Sequence, residues 1–174
     1  MKTLVGLLFL LLLAVSPAHA RDGFEKVRCG GDIVKALVGQ RADNETVSVI
    51  EARHKDLGLK DLGALESENG WFPITWLICG QEYMLIESDR ADIVRDALPI
   101  PPHSKDHPEF QGYCKGKGVK MRDWVVAILR NSGGQDELPA EAAWKLDEKT
   151  LKFVKISTDD LACPRYGALE LQSR

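Results

Sequence analysis

The chain has 174 residues, 44% hydrophobic, 28% charged and 7% aromatic, with a formal charge of −3. Those proportions belong to globular proteins and exclude collagen-like, low-complexity and disordered chains. A slightly acidic body also lacks the basic footprint of a nucleic-acid binder, so no nucleic-acid partner is expected.

The chain opens with Lys2, an almost wholly apolar run from Leu4 to Val15, and the small-residue exit Ala18-His19-Ala20. A basic start, an apolar centre and an A-x-A exit is the pattern of a secretory signal peptide over residues 1–20. The run falls short of the roughly twenty residues that span a bilayer, and no cysteine follows the exit for acylation. The expected product is a secreted or periplasmic protein beginning at Arg21, without stable membrane insertion. It forms a single domain over 21–165, followed by a loose tail over 166–174. Cleavage removes Lys2 and His19, leaving His54, His103 and His107 as the histidines.

After Cys29-Gly30-Gly31, Asp32 is placed to cap a short helix through Ile33, Val34, Leu37 and Val38, with Gly39 to stop it. Asp43 or Asn44 then caps a second helix. In it Val47, Ile50, His54 and Leu57 recur at three- and four-residue steps, and Gly58 ends it. Asn44-Glu45-Thr46 also fits the glycosylation tripeptide. Lys55-Asp56-Leu57-Gly58 is echoed by Lys60-Asp61-Leu62-Gly63, which reads as two successive turns presenting Leu57 and Leu62 to one core.

From Phe72 the alternation of Ile74, Trp76 and Ile78 with Thr75, Leu77 and Cys79 predicts a strand. Gly80-Gln81 makes a type II′ turn, and Glu82 to Glu87 returns as the partner strand. Both faces of this hairpin are apolar, which places it mid-sheet with a helix on one side. Ile93 to Leu98 is a further strand or short helix. Residues 99–109 hold Pro99, Pro101, Pro102 and Pro108 and form a stiffened, extended loop. Phe110 to Lys115, Trp124 to Leu129, Ala142 to Leu146 and Leu151 to Ile156 are strands, the last two forming a hairpin. The whole reads as an α+β domain: two N-terminal helices on a mostly antiparallel sheet of five or six strands. The four tryptophans read as core or sheet residues.

Cys29, Cys79, Cys114 and Cys163 all lie beyond residue 20. Export favours two disulfides, while the absence of a C-x-x-C pair argues against thioredoxin-like chemistry and a close-paired zinc site. The expected pairs are Cys29 with Cys163, clipping the ends together, and Cys79 with Cys114, joining neighbouring strands.

Candidate chemistry concentrates in the proline loop. His103, Asp106 and His107 offer ligands for a metal, and Glu109 stands just beyond. No H-E-x-x-H pattern supplies a base. No G-x-S-x-G frames a serine. His54, on the inward face of its helix, reads as a satisfied histidine and not as a base. Asp159-Asp160 and Asp136-Glu137 read as solvated turns, and Lys115, Lys117, Lys120 and Arg122 as a solubilising basic turn. A stiff loop also loses little entropy on docking. The sequence therefore points to an exported, inhibitor-like binding protein without a cofactor. Its contact loop is 99–110, through Pro101, Pro102, His103, Lys105 and His107, for a protein or cell-envelope partner. The alternatives are a small metal-dependent hydrolase on His103, Asp106 and His107, and a structural envelope component. Intact-mass measurement of the exported protein is expected to show Arg21 as its first residue; a mass that retains residues 1–20 rejects cleavage.

Overall fold

Among the described residues, strands outweigh helices. The computed structural model describes residues 22–41, 46–65, 70–88, 93–133 and 135–165. Residues 1–20, the tail 166–174, and Asp43, Asn44 and Glu45 lie outside the described residues. Among the described residues, helix is confined to α1 (Ile33–Leu37), α2 (Val47–Arg53) and a 3-10 turn over Lys55–Leu57. Nine strands follow: β1 (Lys60–Ala64), β2 (Trp71–Ile78), β3 (Gln81–Ser88), β4 (Ile93–Pro99), β5 (Glu109–Tyr113), β6 (Trp124–Leu129), β7 (Glu137–Asp147), β8 (Lys152–Lys155) and β9 (Ala162–Pro164).

The strands form two antiparallel sheets. The first has the order β1-β2-β3-β4; the second has the order β5-β6-β7-β8, with β9 also paired to β7. This overturns the α+β expectation of helices on one sheet of five or six strands. The alternation in β3 shows why. Leu85 faces a cluster with Phe24, Val27, Leu37, Ile50 and Leu57 from the N-terminal segment. Met84 and Ile86 face the opposite way, into a cluster with Trp124, Val126, Ile128 and Leu146 of the second sheet. Two apolar faces require two covers, and the alternation does not say whether a cover is a helix or another sheet. Trp71 of β2 and Trp124 of β6 meet edge to face across this layer, with ring centroids 5.4 Å apart. A third cluster, including Phe110, Val125, Leu129 and Leu138, closes the far face of the second sheet.

Local signals set the element ends. The Asp32 side chain accepts a hydrogen bond from Lys35 N, capping α1. Thr46 precedes α2 and makes no side-chain cap. Gly58 ends the helical stretch in the left-handed region, at φ 57°. The β2–β3 turn falls one residue earlier than expected. Ile78 pairs with Gln81, so its two central residues are Cys79 and Gly80, at φ 54° and 79°. Positive φ at both positions makes it a type I′ turn, whose twist matches the flanking strands, and not type II′. Lys60–Ala64 is a strand and not a second turn; its pairing shifts between Asp61 and Gly63, and Leu62 is exposed.

The disulfides correct the expected pairing. Cys29 bonds to Cys79 and Cys114 to Cys163. One ties the N-terminal segment to the β2–β3 turn, where Cys79 N also donates to Leu57 O at 2.6 Å. The other ties the end of β5 to β9. Each bridge stays within one half of the chain. No helix among the described residues is long and apolar enough to cross a membrane.

His54 is buried, as expected of a satisfied histidine, and its Nε2 lies 2.7 Å from Asp22 Oδ1. The fully buried Asp22 carboxylate also accepts from Phe24 N and from Arg53. It therefore fastens the start of the described chain to α2. Asp22→Ala is expected to destabilise the protein by about 3 kcal/mol, because buried partners are left uncompensated. Arg53→Ala should also cost on the order of 3 kcal/mol, because the fully buried Asp22 carboxylate then loses its permanent cation. Urea unfolding checks both; a cost below about 1 kcal/mol for either variant would show that the contact behaves as a surface ion pair.

Candidate functional site

The segment between β4 and β5 is where the chain passes from the first sheet to the second. Its first residue, Ile100, is buried; it donates from N to Glu82 O at 2.9 Å, and its carbonyl accepts from the Gln81 side chain. Ser104 and His107 exchange backbone hydrogen bonds of 2.9 and 3.2 Å, closing a turn at the tip. Asn131 then grips the far side: its N donates to Asp106 O at 2.9 Å and its side-chain amide to Lys105 O at 3.1 Å. Leu129 N donates to Pro108 O at 2.9 Å. Pro102 to His107 are nonetheless exposed. The prolines hold φ and the hydrogen bonds hold the path, so this exposed segment has one defined course.

The two histidines of the loop take different partners. His103 Nε2 lies 3.0 Å from Glu82 Oε2 and 3.8 Å from Glu109 Oε2. His107 Nδ1 lies 2.7 Å from Glu141 Oε2, while Arg130 Nε donates to Glu141 Oε1 at 2.7 Å. Asp106 contributes its carbonyl to Asn131. His103, Asp106 and His107 are thus not gathered at one point. Among the described residues, the convergent set of ligand-type atoms is Glu82, His103 and Glu109, all within 4.8 Å of one another. Glu109 directly follows Pro108 at the end of the loop. Glu82 is far away in sequence, and its signal is a carboxylate at the head of the apolar run Tyr83–Ile86.

Electrostatics differ between the two sets. Burial pushes the Glu109 carboxyl up from its ordinary value; the Gln111 side chain and His103 oppose this, and Glu82 adds to it. Hydrogen bonds from Arg130 and then His107 hold Glu141 below the usual carboxylate range. A cleft of about 110 Å³ adjoins Glu82 and Glu109, with Thr75 and Gln111 in its wall. A second, of about 270 Å³, runs along Glu82, Pro101, Pro102 and His103.

Several of the remaining candidates sit in structural contacts. Lys115 pairs with Glu137 at 2.6 Å. Lys120 N donates to Asp123, whose carboxylate also meets Lys145 at 3.0 Å. Asp159 N donates to Ser157 Oγ within a turn. Trp71, Trp76 and Trp124 are buried in the core, and Trp144 packs against it, half-buried. No protein-family pattern, curated protein or solved structure matches the chain.

Because folding holds the Glu141 carboxyl below its ordinary value, its contribution is fully present above that ordinary value and is lost as pH falls through the folded one. Amide exchange at residues 103–107, corrected for intrinsic rates, is expected to accelerate there relative to the strands. Glu141→Gln should show the faster exchange already at pH 7. Unchanged protection in that variant would remove Glu141 from the loop's anchors.

Proposed function

We propose that this chain is an exported binding protein of an inhibitor-like kind, and that the connector 99–110 is its contact element for a protein partner. Pro101, Pro102, His103, Lys105 and His107 are the contact residues. One observation carries this reading. The segment is exposed along most of its length, yet it is pinned to both sheets and at its tip by hydrogen bonds. An exposed segment already held in one course pays little ordering entropy when a partner's groove closes on it. Pro101-Pro102 adds a preformed extended stretch of the kind that grooves accept. Export is supported by the apolar run Leu4–Val15 and by the two disulfides.

The test is quantitative capture from secreted and envelope extract with the disulfide-bonded protein as bait. Replacing both Pro101 and Pro102 by glycine restores the flexibility that the loop lacks, at about 0.7 kcal/mol each. Affinity for a captured partner should fall about tenfold, while the thermal midpoint of the bait drops by only a few degrees and the protein stays folded at the capture temperature. Identical partners and affinities for the two baits would end the reading.

A further inference from the structure

We propose that Glu82, His103 and Glu109 form a divalent transition-metal site, best suited to Zn²⁺, that clips the two sheets together beneath the connector. The site goes beyond the binding reading and does not depend on it. Its three ligands come from β3 of the first sheet, from the connector, and from β5 of the second sheet.

The geometry fits an ion. With ligands about 2.1 Å from zinc, a tetrahedral site separates them by about 3.4 Å. The two distances from His103 Nε2 to the carboxylates, 3.0 and 3.8 Å, straddle that value. All three ligand atoms lie within 4.8 Å of one another.

Charge points the same way. An imidazole Nε2 carries at most one hydrogen, so it serves one carboxylate fully and leaves the other short. Among the described residues, no lysine or arginine forms an ion pair with Glu82 or Glu109. A divalent cation satisfies both carboxylates and the ring nitrogen together.

The ligands are also oriented in advance. Gln111 Nε2 donates to Glu109 Oε1 at 2.9 Å, which leaves Oε2 toward His103. Such support of a ligand by a neighbouring hydrogen bond is typical of built metal sites. Glu82 sits in β3, its carbonyl tied to Ile100 N at 2.9 Å, and Glu109 is paired in register with Ile128. The cleft of about 110 Å³ beside both carboxylates has room for the water that completes four-coordination. One nitrogen and two oxygens match zinc better than calcium, which takes six to eight oxygens.

The experiment uses the full disulfide-bonded protein, made without a histidine tag, stripped with EDTA and titrated with zinc sulfate by calorimetry. One zinc per chain is expected, with a Kd on the order of 1 μM or lower. Saturating zinc should raise the thermal midpoint by roughly 5 °C. Cobalt should give the intense visible bands of a four-coordinate ion. Glu82→Gln and Glu109→Gln should each weaken zinc at least tenfold, and Asp106→Ala, which keeps the carbonyl held by Asn131, should leave it unchanged. Should the more buried Glu109→Gln fail to fold, Glu82→Gln decides alone. Absence of stoichiometric zinc overturns the site. So does binding that survives Glu82→Gln, or binding that falls with Asp106→Ala instead.

Discussion

The contact between the two sheets is the constraint on which the rest depends. Each half of the chain carries its own disulfide and its own apolar cluster on its outer face. What joins them is the shared layer in which Trp71, Met84, Ile86 and Leu98 meet Trp124, Val126, Ile128 and Leu146. Each large side chain buried there contributes about 2 kcal/mol by removal from water. Without this layer, no disulfide would hold one half against the other. The polar links between the sheets supplement it: Phe153 N donates to Asp96 Oδ2 at 2.7 Å, and Lys152 pairs with the same carboxylate.

The packed layer also sets the character of the connector. Glu82 lies at the start of β3 and Glu109 at the start of β5, so their approach follows from how the sheets face each other. His103 comes between them because Ile100 is drawn into the shared layer and Asn131 grips the loop from the other side. The same segment that crosses between sheets therefore brings a histidine to two carboxylates and presents a stiff outer edge to solvent. Pinning the path and exposing the side chains are compatible because the anchoring hydrogen bonds run largely through the backbone.

Signals that act within a few residues were legible. Asp32 as a cap, Gly58 as a stop, the β2–β3 hairpin and the β6 strand each follow from local geometry or from alternation over a short window. The misreadings come where local signals are weak or contested. β1 holds a glycine at its register shift and an exposed Leu62, so its alternation is broken. β9 is three residues long and becomes a strand only by pairing with β7. Placing the turn at Gly80-Gln81 assumed that glycine alone takes positive φ, yet Cys79 takes it too, within its bridge to Cys29.

Taken alone, the sequence determined the strand periodicity, the two short helical segments, the presence of a proline-stiffened loop and a cysteine set suited to an oxidising compartment. Those properties depend on neighbouring residues and on composition. Tertiary structure decided that the second face of the hairpin meets another sheet and not a helix. It also decided that each disulfide closes one half of the chain, and that His103 turns to Glu82 and Glu109 while His107 turns to Glu141. These are distances between residues remote in the chain. They are set by which apolar faces pack against each other, and apolar faces carry no label for their partner.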